Sequence, residues 1–115
     1  MNDPHKDACA MFGAFNLRSG CDLASFKAAY DPYCEHLKER GYLQSWRVWR
    51  RAYHDGYDAR FPEVSVLIEM RFHDHAAALA CWDYVEAGSE PMKSLHVAAN
   101  RQVTEPIFAL WHELR

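Results

Sequence analysis

The stretch E-V-S-V-L-I-E-M-R-F-H, residues 63–73, alternates apolar and polar side chains except at Leu67. Successive side chains of a strand point to opposite faces, so Val64, Val66, Ile68, Met70 and Phe72 share one face. Glu63, Ser65, Leu67, Glu69, Arg71 and His73 share the other. The first face calls for a layer of helices. The second sets Leu67 among charges that need water or partners, and helices on the far side of the sheet do not reach it. Asp74 follows at once and is placed to cap a helix over His75 to Glu86, with Ala78, Leu79, Trp82 and Val85 as its apolar stripe and Gly88 as its stop.

Upstream, Y-L-Q-S-W-R-V-W-R-R-A-Y-H (42–54) has the aromatic and β-branched content of a strand, and the Asp55-Gly56 turn opens a broad connection to Phe61-Pro62. Before it, Asp22 can cap a helix in which Leu23, Phe26, Tyr30, Cys34 and Leu37 recur every three or four residues up to Gly41. Pro32 falls inside this helix and predicts a kink or a division near Ala29 to Asp31. The run A-C-A-M-F-G-A-F (8–15) reads as a central strand, with Gly13 marking a bulge or a close approach to the backbone.

Downstream, Pro91 suits the first turn of a short helix in which Met92, Leu95 and Val97 pack, ending at Asn100. The last strand lies within Val103 to Leu114, and Pro106 marks the start of its regular pairing or an edge. The order is β-α-β-β-α-β. Right-handed crossovers then give an α+β, ferredoxin-like domain with one four-stranded antiparallel sheet, strands in spatial order four, one, three, two.

At 115 residues and 50% hydrophobic content the chain suits a single domain, 1–115, with residues 1–6 as a flexible tail. No apolar run approaches the roughly 18 residues of a membrane span, and residues 1–12 lack an apolar export segment, so a cytoplasmic, non-membrane protein is expected. Cys9, Cys21, Cys34 and Cys81 form no C-x-x-C pair and read as reduced thiols, and no closely spaced ligand pairs announce a metal. A net charge of -3 argues against a protein devoted to nucleic-acid phosphate.

The open side of the sheet gathers Leu67, a tryptophan from Trp46 or Trp49 and the apolar end of the last strand. So much apolar area predicts a homodimer closed sheet against sheet, with Leu67, Glu69 and Arg71 at the interface. In its element order, the strand ending R-F-H-D (71–74), the alanine-rich start of the following helix and the short helix before the last strand, the chain resembles the dimeric α/β barrel proteins. The small stress-responsive A/B barrel group is the nearest match, over Asp7 to Glu113. The resemblance implies two ferredoxin-like subunits with sheets apposed. Members of that superfamily range from monooxygenases and isomerases to haem proteins and proteins without known activity, so it implies an architecture and no particular reaction.

The candidate ligand site joins Arg47, Trp49, Arg51 and Tyr53 of the second strand to Glu69 and Arg71 of the third, with His73 as the candidate acid or base. Guanidiniums above an aromatic wall suit a small organic acid or aromatic ligand. The plainer reading is that Arg71 and Glu69 make cross-strand and cross-dimer ion pairs, and a one-residue slip puts Trp46 and Arg50 on this face instead. Of the H-D-H run, Asp74 is explained as the helix cap, and His36, His54, His96 and His112 have no spacing that joins them. No G-x-G-x-x-G, Walker, H-E-x-x-H or G-x-S-x-G pattern occurs, so no cofactor is called for. The first reading is a structural or ligand-binding dimer. The alternatives are a cofactor-independent enzyme, monooxygenase- or isomerase-like, acting on a small aromatic or organic acid, and single-stranded nucleic-acid binding through Trp46, Trp49, Arg47, Arg50 and Arg51.

Overall fold

The computed structural model describes residues 7–114; the tail expected at 1–6 lies outside the described residues. Strands β1 (Cys9–Leu17), β2 (Ser45–Arg50), β3 (Val66–Phe72) and β4 (Val103–His112) alternate with helices α1 (Leu23–Glu39), α2 (His75–Glu86) and α3 (Met92–Asn100). The sheet is antiparallel throughout, in order β2-β3-β1-β4, the ferredoxin-like order expected from the sequence. Both long helices start where a carboxylate satisfies a free backbone donor. Asp22 accepts from Ser25 N at 2.8 Å while Ser25 Oγ accepts from Asp22 N, and Asp74 accepts from Ala77 N at 2.8 Å.

All three helices lie on one side, hereafter the helix side, over the even-numbered set of β3. Val66, Ile68, Met70 and Phe72 are buried there with Cys9 and Phe15 of β1 and Phe26, Tyr30, Tyr33, Cys34 and Leu37 of α1. The buried Gln102 side chain is satisfied: it accepts from Ser25 Oγ at 2.9 Å and donates to Ser25 O at 3.2 Å.

Pro32 does not divide α1. The helix runs 17 residues through it, so the missing Pro32 N–H is outweighed by the five buried side chains on either side of the proline. The stripe expected on α2 also differs: Ala78 and Cys81 are buried, whereas Leu79 and Trp82 are more than half exposed. Pro106 lies beside a bulge. Between the pairs Ala14–Ile107 and Asn16–Thr104, β4 spends three residues where β1 spends two, and Glu105 takes a left-handed φ of 48°. Because β4 is an edge strand, the ladder donor lost at Pro106 costs little.

Candidate functional site

The register of β2 decides which aromatic and basic residues meet. Ser45 pairs with Arg71, Arg47 with Glu69 and Trp49 with Leu67, so Arg47 and Trp49 lie on the open side with Leu67, Glu69 and Arg71. Trp46 lies on the helix side, where its Nε1 donates to Asp31 Oδ1 at 2.9 Å. The strand thus splits the residues that single-stranded nucleic acid would need on one surface.

On the open side the best-connected group is Glu69, only 6% exposed. Its carboxylate accepts from Trp49 Nε1 at 3.2 Å and pairs with Arg71 at 3.4 Å, and Arg71 reaches Glu113 at 3.1 Å. Arg51 is drawn away into the 54–64 connection. It donates to Pro62 O and Val64 O at 2.9 and 3.0 Å, pairs with Asp58 at 3.3 Å, and lies against the Tyr53 and Phe61 rings. His73 meets Gln44 at 3.3 Å, whereas His75 turns toward His112 at 2.9 Å. Trp49, Glu69 and Arg71 therefore form one cluster, with Arg47 beside it; Arg51 and Tyr53 form another, and His73 stands at the strand end.

The larger concavity lies on the helix side. Phe26, Tyr30 and Tyr33 recur at helical spacing on one face of α1 and, with Phe15, Met70 and Phe72 of the sheet, form the buried lining of a cavity of about 540 Å3. The positions of α2 that face inward are Ala78 and Cys81, too small to fill this space, while Leu79 and Trp82 stand at its exposed rim. From α3 come His96 and Asn100, and from β4 Phe108 and Leu110.

Its polar groups are few. The Tyr33 ring stacks on Tyr30 at 5.8 Å and on His96 at 5.7 Å. Burial, with smaller contributions from the Cys81 and Cys34 thiols, pushes the Tyr33 phenol well above its usual range, so it stays a proton donor. Tyr30 is raised likewise, first by burial and then by Cys34, whose thiol lies near its buried hydroxyl. Burial also pushes the Cys81 thiol up to about 11. Such a wall favours an apolar ring system and offers neutral donors to one polar atom.

A family sequence model matches residues 10–114, from within β1 to just past the end of β4. The chain belongs to the family of unknown function DUF6614. No curated protein matches it. Among solved structures, this DUF6614 chain is similar to SnoaB, a cofactor-independent oxygenase from Streptomyces nogalater (12% identity, 95% of each chain covered, TM-score 0.67). It is similar also to the hydroxynitrile lyase of Passiflora edulis (8% identity, 95% of each chain, TM-score 0.66). A third likeness is a dabb family protein with a ferredoxin-like fold from Mesorhizobium loti (14% identity, 95% of this chain and 99% of that one, TM-score 0.59). The fold is thus ferredoxin-like and is shared with a cofactor-independent oxygenase, a hydroxynitrile lyase and a dabb family protein.

Sequence reasoning passed over the helix-side cavity. Tyr30 reads as part of the apolar stripe of α1 and Cys81 as a reduced thiol, Tyr33 is not singled out, and His96 has no partner at any fixed spacing. The one available signal was composition: two tyrosines facing inward from α1, where phenylalanine would bury without a polar atom to satisfy.

Proposed function

We propose that the chain is a cofactor-independent enzyme acting on a small aromatic or organic acid held in the helix-side cavity. The observation that carries this reading is an apolar cavity of about 540 Å3 whose wall includes the Tyr30 and Tyr33 phenols and the His96 imidazole. The volume falls within the usual range for ligand pockets. His96 takes a proton from a weakly acidic C–H or O–H of the substrate, the general-base role that an imidazole nitrogen can fill. The electron pair stays on the substrate, and the Tyr33 phenol, held protonated by burial, donates to the oxygen on which the charge collects. Apolar walls exclude water and strengthen that hydrogen bond. The fold shared with a cofactor-independent oxygenase and a hydroxynitrile lyase supports catalysis over passive binding.

The test uses two probes. 1-Naphthol should quench the fluorescence of Trp82 at the rim, a response lost in Trp82→Phe. The chain should also accelerate exchange of the acidic benzylic protons of 2-tetralone in D2O, followed by NMR, with His96→Ala lowering the acceleration by about a hundredfold. Saturable binding of neither probe would end the cavity reading.

We infer as well that a second copy covers the open side, which makes Leu67, Glu69 and Arg71 interface residues and Trp49 their neighbour. Support comes from β4, where Ile107 and Trp111 present a broad apolar surface on that side, Trp111 being 59% exposed. Twice the 13.4 kDa chain mass is about 27 kDa, the value sedimentation equilibrium should return at micromolar concentration.

A further inference from the structure

Gly13 lies in the middle of β1, opposite Phe108 of β4, with both on the helix side. A Cβ built on Gly13 would stand 2.6 Å from Cδ1 and from Cε1 of Phe108 and 3.1 Å from Cγ1 of Ile68. One edge of the Phe108 ring therefore fills the space that any other residue at position 13 would need for its own side chain. The ring lines the cavity and is nevertheless 54% exposed. It belongs to an edge strand with no outer neighbour, three residues beyond the bulge at Glu105.

We infer that Gly13 and Phe108 together set the size of molecule the helix-side cavity admits, an inference that rests on that cavity being the ligand site. Gly13 is the seat on which the ring lies back against the sheet, and the cavity stays open because the ring is there. A methyl group at position 13 evicts it. β1 is hydrogen-bonded on both sides and cannot retreat, so the side chain on the edge strand moves. Turning outward would expose the ring to water, whereas turning inward buries it among apolar walls, so it enters the cavity. The native pocket then takes a planar molecule of two fused rings, and Gly13→Ala leaves room for only one.

Calorimetric titration of the full chain with phenol and 1-naphthol reads this directly. Gly13→Ala should weaken 1-naphthol by about tenfold or more and phenol by less than about threefold. Adding Phe108→Ala should return 1-naphthol to within about threefold of the native chain, because the new methyl then occupies the vacated seat. Equal binding of both probes by Gly13→Ala and the native chain would overturn the inference, as would a double variant that restores nothing. If Gly13→Ala does not fold, Phe108→Ala alone should raise the preference for 1-naphthol over phenol by about threefold or more, and an unchanged preference would overturn it. A crystal structure of Gly13→Ala without ligand tests the pair apart from binding: the ring is expected inside the cavity, and a ring turned to solvent is the contrary result. A native chain that binds neither probe would instead remove the cavity as the ligand site.

Discussion

β3 and β4 lie on opposite sides of the same central strand and have opposite surroundings. In β3 the apolar residues occupy alternate positions apart from Leu67, and all four on the helix side are buried. In β4 the run Ile107 to Trp111 is apolar at every position, and every one of those residues is exposed. A strand that is apolar on both faces ordinarily belongs to a buried sheet interior. Here it forms the edge, with the cavity on its helix side and, among the described residues, no layer of its own chain on the other. The comparison teaches that β4 leaves apolar side chains exposed on both of its faces, one toward the cavity where a ligand is proposed and one toward the side where a second copy is proposed.

The largest expected effect tests the β3 half of that contrast. Phe72→Ala removes a fully covered ring from the core and should cost about 3–5 kcal/mol in urea unfolding, whereas Phe108→Ala should cost less than about 1 kcal/mol. Comparable losses would mean that the β4 face is covered within the chain and that the contrast is false.

Next comes the open side. Leu67→Asp places a carboxylate in the middle of the inferred interface and should convert the species of about 27 kDa, twice the 13.4 kDa chain, to monomer at concentrations where the native chain stays paired. A native chain that remains monomeric near 100 micromolar, on the order of the weakest stable dimers, removes the second copy from the account of β4.

The readable part of the molecule is the part built from local rules. The alternation of 63–73 gave the sheet its two sides, and Asp22 and Asp74 marked the helix starts, because capping and strand periodicity depend on residues within a turn of each other. The homologous-looking stripe of α2 misled for the opposite reason: Leu79 and Trp82 obey helical spacing, but whether anything covers them depends on how far α2 stands from β4. Pro32 misled because a local penalty was set against the burial of Tyr30, Tyr33, Cys34 and Leu37, which is a tertiary quantity. The cavity was illegible on both counts, since it draws residues from six elements and consists of volume left unfilled.

The helix-side wall also predicts a pH response. Burial raises the acid groups of Cys34, Cys81, Tyr30 and Tyr33, Cys81 from an ordinary 9.0 to about 11. Between those values the unfolded chain has lost the Cys81 proton while the folded chain keeps it. The folded state then binds more protons, and stability falls as pH rises. Urea midpoints should be level up to about pH 8 and decline steadily above pH 9. In Cys81→Ala the decline should be shallower. A midpoint that rises over this interval would contradict the burial of these groups.

The smallest expected effect decides which side of the sheet binds ligand. Arg71 donates to Glu69 and Glu113 within its own chain, and these bonds, the Glu113 one foremost, raise its already high pKa. Two of the guanidinium's N–H donors are thus committed to carboxylates of its own chain. Arg71→Leu leaves the buried Glu69 carboxylate with its Trp49 donor, so the loss in stability should be only about 1 kcal/mol. Affinity for 1-naphthol should be unchanged, because Arg71 is absent from the lining of the helix-side cavity. Benzoate separates the two sides more sharply. If an anion site exists among Arg47, Trp49 and Arg71, the native chain binds benzoate and Arg71→Leu does not, and the ligand belongs on the open side. If benzoate affinity is the same in both chains and falls in His96→Ala, the open-side charges hold the sheet and its partner together, and the chemistry belongs to the side that faces the helices.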